Sequence, residues 1–489
     1  MVDHVGIIGG GIGSIATATY LADTGFDVTV FERNSQLGGR ASVLERDGFR
    51  FDMGPSWYLM PDVFERYFDH FDRSPTEYYT LERLDPNYRA FFKDGDRIDV
   101  PANPGELAAV FESYESGAGS SLHEYLAQAE ESYEVGMEHF VYTDRGRLRD
   151  YVDLTVARQA RGLGLLRTMD THVDRYFDES KLKQLVQYSL VFLGGAPNNT
   201  PALYNLMAHV DFNLGVYYPH GGIASVIDAL VTVAEEKGVE FVTDTGVTAI
   251  EGSRGRFQLH NGKALVAEPD LVVSGADRAH TELELLDESR REYDESYWSK
   301  RTLAPSAFLL YLGIEGSLDD LEHHTLVLPT DWDPHFDQIF DDPHWPDNPA
   351  YYVCRPSATD DSVAPDGHEA IFILVPIAPG LEDDTETQAA FRDQLLADFE
   401  ANTGIDLSGR IVLEERFSVT DFADRYNAHE GTALGLAHTL RQSGPLRPDH
   451  RAKHVDGLYH TGSYTRPGIG MPMCLISGEH TASAIIDDT

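Results

Sequence analysis

Gly9, Gly11 and Ser14 follow a short apolar run, and Glu32 closes the next one. Small residues at this spacing let a backbone approach a diphosphate, whose charge meets the N-terminus of the helix that follows. A carboxylate at the end of the second run accepts hydrogen bonds from ribose hydroxyls. Ser14 stands at the third glycine position of the fingerprint and is small enough to keep helix and strand close. Glu32 favours a 2′-hydroxyl over a 2′-phosphate, which leaves NAD and FAD open. Gly38-Gly39-Arg40 and Asp52-Met53-Gly54-Pro55-Ser56 come soon after, and Arg40 offers several donors to phosphate oxygens.

These residues need a strand, a turn, a helix and a second strand to position them. Residues 5–8 and 28–31 have strand character, residues 15–22 are helical, and Gly25 is the stop between them. Further along, Tyr217-Tyr218-Pro219-His220-Gly221-Gly222 precedes a helical stretch over 223–237. Strands are expected at 239–242, 247–250 and 271–274, with Asp277 in the turn after the last. The apolar runs 307–314 and 370–378 read as buried strands of a second sheet. A strand within 456–462 is followed by a glycine loop at 463–470 and a helix from Met471 to about Ile486. The acid-rich connections 282–295 and 331–347 read as surface.

Other residue types exclude chemistry. Cys354 and Cys474 do not form a CxxC pair, so neither a disulfide framework nor a thiolate metal site is expected. His323 and His324 are adjacent. In a strand they point to opposite faces, so no metal site is expected there either. Acidic residues number 81 and basic residues 38, a net charge of −43, which argues against binding nucleic acid through its phosphates. Such acidity with scarce lysine suits a salt-rich cytoplasm, where the Debye length shrinks to about 3 Å. No apolar run reaches the ~18 residues that cross a bilayer. Met1-Val2-Asp3-His4 enters the first strand with no basic region before it, so no secretory leader is expected.

The combined pattern resembles the carotenoid (phytoene-type) desaturases of the flavin amine oxidase superfamily. Besides the N-terminal motifs, the resemblance rests on Phe192-Leu193-Gly194-Gly195-Ala196-Pro197, His323-His324-Thr325 and the loop from Pro356 to Gly367. Asn427-Ala428-His429-Glu430-Gly431 and the C-terminal Pro467-Gly468-Ile469-Gly470-Met471-Pro472 extend it along nearly the whole chain. The resemblance implies FAD as cofactor. Gly39 and Arg40 would lie along its diphosphate and ribityl chain, with Gly54, Pro55 and Ser56 packed beneath. Val247 would meet the adenine through its backbone. Gly462, Gly470, Met471 and Pro472 would bring a loop and a helix N-terminus to the flavin. Arg466 stands where the family carries histidine, a departure that bears on the position or stereochemistry of the reaction. Arg149 and Asp150 loosely match the family's acid/base cluster.

The implied fold is α/β: a Rossmann-type FAD-binding domain interleaved with a mixed-sheet substrate domain and a helical membrane-facing part. Its expected pieces are 1–80, 215–290 and 441–489 for FAD, and 81–214 and 291–440 for substrate. The implied reaction introduces double bonds into a C40 or C50 carotenoid, as a phytoene desaturase or a 3,4-desaturase of C50 synthesis, with quinone or oxygen as electron acceptor. An amine or other flavin oxidase, and a non-catalytic prenyl-lipid-binding protein of the same fold, are the alternatives. Arg145, Arg147, Arg149, Arg158, Arg161 and Arg167 alternate with apolar residues in an otherwise acidic chain, a pattern suited to peripheral contact with the cytoplasmic membrane.

Overall fold

The computed structural model describes residues 3–144, 167–439 and 441–489. Its first sheet has five parallel strands: β1 (His4–Ile8), β2 (Asp27–Phe31), β3 (Glu240–Val242), β4 (Leu271–Ser274) and β5 (Leu458–His460). Their spatial order is β5-β4-β1-β2-β3. The chain fills one side of β1 and then the other, so the strand order reverses between β1 and β4. In open parallel sheets a ligand crevice lies at that reversal, beyond the carboxyl ends of the strands.

Three helices pack on this sheet: α1 (Ile12–Asp23), α2 (Ile223–Glu236) and α3 (Met471–Asp488). Val5, Ile7, Val28 and Val30 of the strands share a buried core with Ile15, Val226, Leu230, Leu475 and Ile485 of the helices. α1 begins at Ile12, immediately after the glycine turn, earlier than the apolar pattern alone suggests. α1 and α3 approach closely because Gly478 has no side chain. A Cβ there would stand 2.5 Å from Ala16 Cβ and 2.8 Å from the Gly13 carbonyl oxygen.

The second sheet has seven strands, in the order Ile411–Phe417, Ser306–Glu315, His368–Ile377, Tyr351–Cys354, His324–Leu328, Tyr88–Phe92, Arg97–Val100. It is mixed: His324–Leu328 runs parallel to Tyr88–Phe92, and the other neighbours are antiparallel. The two apolar runs expected as strands form its centre, paired from Ser306↔Ile377 to Glu315↔His368. Side-chain alternation divides them between two layers. Phe308, Leu310 and Leu312 pack with Phe391, Leu395 and Phe399 of the helix Thr385–Thr403. Leu309 and Tyr311 join the core that includes Leu122 and Tyr125 of the helix Ala118–Gly136.

Three local readings change. The strand expected at 247–250 is Ala249–Glu251, with Val247 before it. Glu282 is buried, paired with Arg278 at 3.0 Å, because the charge of Arg278 is itself buried and needs a carboxylate. The stretch 331–347 carries buried Trp332, His335, Phe336 and Ile339, because the helix Asp333–Phe340 is amphipathic and covers an inner wall. Among the described residues, no helix is long and apolar enough to cross a membrane.

Candidate functional site

A cavity of about 950 Å³ runs from the strand reversal of the first sheet into the space beside the second. Gly9, Gly11, Ser14, Glu32, Gly39, Arg40, Gly54, Pro55, Ser56, Val247, Gly462, Gly470, Met471 and Pro472 all line it. Arg149 and Asp150 lie outside the described residues, as does most of the arginine-rich stretch.

One end is polar, built from backbone and small side chains. Glu32 is buried. Its Oε2 accepts from the Gly10 amide at 2.7 Å, and its Oε1 accepts from the Asn34 amide and Nδ2 at 2.7 and 2.8 Å. Each carboxylate oxygen has more than one lone pair, so both keep capacity for further donors. Gly11 has open space where a Cβ would project. The Gly38-Gly39 turn lies against it, with the Gly38 amide donating to the Gly10 carbonyl at 2.8 Å. Gly38 and Gly39 both have positive φ, which glycine adopts without strain. Gly54 sits under the same turn; a Cβ there would meet the Arg40 carbonyl oxygen at 2.7 Å. Ser14 is accommodated by a small residue opposite: a Cβ on Gly275 would fall 1.9 Å from Ser14 Oγ.

Two helix N-termini open onto this end. Gly11 precedes α1 and Gly470 precedes α3 as N-cap residues, and neither offers a side-chain cap. Their first-turn amides lack intrahelical partners and carry partial positive charge. Arg40 Nε, Arg425 Nε and Ser14 Oγ are buried with no hydrogen-bond partner among the described residues. This donor set, with an acceptor at Glu32, fits a diphosphate-linked dinucleotide. Arg40 is aimed by Asp277, whose Oδ2 is 3.9 Å from Arg40 Nη2. Asp277 is in turn held by the Ala279 amide at 3.0 Å and the Tyr464 hydroxyl at 2.6 Å.

The other end is apolar. Leu309, Leu326, Leu328 and Leu374 come from the second sheet, Phe336 and Ile339 from the helix beside it, and Trp332 from the position just before that helix. Leu59, Val191, Leu206 and Met207 complete the opposite wall. Three polar side chains at this end are turned inward and satisfied. Tyr352 Oη bonds Ser56 Oγ at 2.8 Å and His324 Nδ1 at 2.6 Å. His335 Nδ1 accepts from the Ala350 amide at 3.0 Å, so its Nε2–H donates to the Pro376 carbonyl at 2.8 Å. His438 Nε2 accepts from the Ile469 amide at 3.0 Å, so its Nδ1–H donates to Tyr204 Oη at 2.6 Å. Burial holds both histidines below the usual imidazole range, His335 at about 4. They stay neutral at pH 7.

Arg466 does not reach the cavity as its place in the glycine loop suggests. Its guanidinium turns away and pairs with Asp144 at 2.6 Å and Asp449 at 3.3 Å. Asp277, Arg425, His438 and the wall from Trp332 to Ile339 belong to the cavity but carry no spacing signature. Arg425 could have been suspected, since it lies two residues before the Asn427 turn.

The family described as flavin containing amine oxidoreductase matches residues 15–486. The chain is 60% identical over 487 residues to a carotenoid 3,4-desaturase of Haloarcula japonica, covering 99% of this chain and 98% of that one. It is 33% identical to a zeta-carotene-forming phytoene desaturase of Myxococcus xanthus, over 96% and 91% of the two chains. Among solved structures, wild-type putrescine oxidase bound to putrescine shares the fold, with a TM-score of 0.64 and 13% identity over 100% and 99% of the chains. The protein is an FAD-dependent oxidoreductase. It belongs to the flavin-containing amine oxidoreductase family and, within it, to the carotenoid desaturases.

Proposed function

We propose that this chain desaturates a C40 or C50 carotenoid, and that its reaction is the 3,4-desaturation named for its haloarchaeal relative. The supporting observation is the apolar end of the cavity. Tyr352, His335 and His438 spend their polar atoms on protein partners, so the wall offers a hydrocarbon surface. A small amine needs a polar or charged contact to orient it, and these side chains have none to spare. FAD, when bound, supplies the two-electron acceptor that a C–H bond without a polar handle requires.

The chain's residues then divide the remaining work. The amides at the starts of α1 and α3, with Arg40, would hold the diphosphate and flavin, and Glu32 would hold the ribose. Val247 would meet the adenine, and Gly54, Pro55 and Ser56 would support the cofactor. The apolar walls orient the polyene and exclude water. Arg149 and Asp150 are proposed for the proton that leaves the neighbouring carbon, with an Asp150 carboxylate oxygen as its acceptor. We assign 1–80, 215–290 and 441–489 to FAD, and 81–214 and 291–440 to substrate. A substrate this apolar comes from a membrane, which favours peripheral contact with the cytoplasmic membrane and a quinone or oxygen as the final acceptor.

Expression in a pigment-free host tests the assignment. Supplied with C50 intermediates, the chain should red-shift the product's absorption; supplied with phytoene alone, it should not. A shift with phytoene alone would instead identify an early desaturase, and no shift with either would sink the proposal.

A further inference from the structure

Behind the cavity wall lies a second group of reactive side chains. His324 opens the strand His324–Leu328, and Cys354 closes the strand Tyr351–Cys354. The two residues are directly opposite in the antiparallel register, so their side chains share one face of the sheet. His323 precedes the strand and escapes its alternation. Its ring does not point to the opposite face as expected but lies 4.6 Å from that of His324. One ring nitrogen of each histidine and Cys354 Sγ lie within 4.8 Å of one another, and all three residues are buried.

The hydrogen bonds give these rings a direction. His323 Nδ1 is 2.7 Å from Thr359 Oγ1, and His324 Nδ1 is 2.6 Å from Tyr352 Oη. Both hydroxyls can accept, which leaves the Nε2 lone pairs free. Both Nε2 atoms are buried and have no hydrogen-bond partner among the described residues. A buried acceptor is costly to leave unpaired, and here there are two beside a thiol. Trp57 stacks on His324 with centroids 4.0 Å apart and planes 7° apart, which fixes that ring. Metal-binding histidines show this arrangement, with one nitrogen tied to an outer partner and the other presented.

We propose that His323 Nε2, His324 Nε2 and Cys354 Sγ bind a soft closed-shell metal ion, Cu(I) or Zn(II). Thiolate and imidazole together select these ions. Ligand atoms 2.0–2.3 Å from one ion stand roughly 3.5 Å apart, so side chains whose ligand atoms lie within 4.8 Å of one another must draw in around the ion. Burial supplies neutral imidazoles, holding His323 down at about 3 and His324 well below its usual range. It also pushes the Cys354 thiol up to about 12, so the sulfur is protonated until a metal displaces the proton. On binding, the S–H bond breaks, a sulfur–metal bond forms and the proton leaves to solvent; nothing is oxidised or reduced. Arg355, whose charge acts on His323, is paired with Glu369 at 3.2 Å. The cluster of Asp144, His450 and His480 makes a poorer site, because Arg466 donates to both carboxylate oxygens of Asp144.

The test uses the flavin-loaded enzyme, stripped with a chelator and given one equivalent of Zn(II), or of Cu(I) without oxygen. After gel filtration, elemental analysis should find one of the two metals retained stoichiometrically, and the unfolding midpoint should rise. Cys354→Ser and His323→Gln should each weaken retention at least ~10-fold. Their flavin absorption should be unchanged, which shows that they fold. Retention of neither metal by the wild type would overturn the site. So would retention that survives Cys354→Ser but is lost in His480→Gln, since that places the ion at the other cluster.

Discussion

Glu32 is the residue whose position was easiest to read. Its distance from the glycine turn and its place at a strand end are geometric requirements of a βαβ unit, and the structure places both oxygens on backbone and side-chain donors. Glu32→Gln keeps the shape but turns one acceptor into a donor facing the Gly10 or Asn34 amide. Charge-assisted bonds of this kind contribute about 1.5–3 kcal/mol, so FAD should bind roughly ten- to a hundredfold more weakly, as measured by flavin release. Asp211 had no such signature. It is buried, accepts from Tyr188 Oη at 3.0 Å, and its carboxyl is pushed by burial from 3.8 up to about 8. Between those values the folded chain keeps a proton that the unfolded chain has lost. Stability from this group is therefore present below pH 4 and lost as pH rises toward 8, by up to roughly 1.4 kcal/mol per unit. Denaturant melts of wild type and Asp211→Asn across that range should diverge, with the flatter curve belonging to the variant. Parallel curves would show that Asp211 is ionised in the fold. Its position was hidden because burial of a carboxylate depends on packing contributed by distant segments.

At the scale of elements, the pattern of apolar runs bounded by glycine turns located α1, α2, α3 and the two central strands of the second sheet, whose side chains are buried on both faces. It misplaced 331–347 because acidic side chains on one face of a short helix outweighed Trp332, Phe336 and Ile339 on the other. It also treated His323 as part of a strand that begins one residue later. The contact between α1 and α3 was not legible, since nothing in Gly478 announces which helix will lie against it. Gly478→Ala should force the helices apart, with Ala16 Cβ and the Gly13 carbonyl in the way. Overpacking of this kind costs typically 1–3 kcal/mol. Because both helix N-termini face the cofactor end, we expect weaker FAD retention along with a lower unfolding midpoint. Loss of stability with full FAD affinity would show that the two termini are positioned independently.

Across the whole molecule, five of the seven lysines are already committed to carboxylates. Lys93, Lys181, Lys183, Lys237 and Lys453 each hold a carboxylate between 2.6 and 2.9 Å. With a net charge of −43, most remaining carboxylates repel one another through solvent. Raising KCl from about 0.1 M to about 1 M shortens the Debye length from ~10 Å to ~3 Å. The unfolding midpoint should rise steeply over that range, and a flat or falling midpoint would remove salt adaptation as the reason for the composition.

The order of the first sheet, β5-β4-β1-β2-β3, also has a consequence for how the protein is made. β1 leaves the ribosome at residue 4, and β5 only at residue 458. At typical elongation rates of 5–20 residues per second, roughly 20 to 90 seconds separate them. For that time the nascent chain carries a half-built sheet edge and an α1 whose partner helix does not yet exist. FAD capture is therefore expected to follow completion of β5 and α3, as release of flavin-free, full-length chain from a translation system lacking FAD would show.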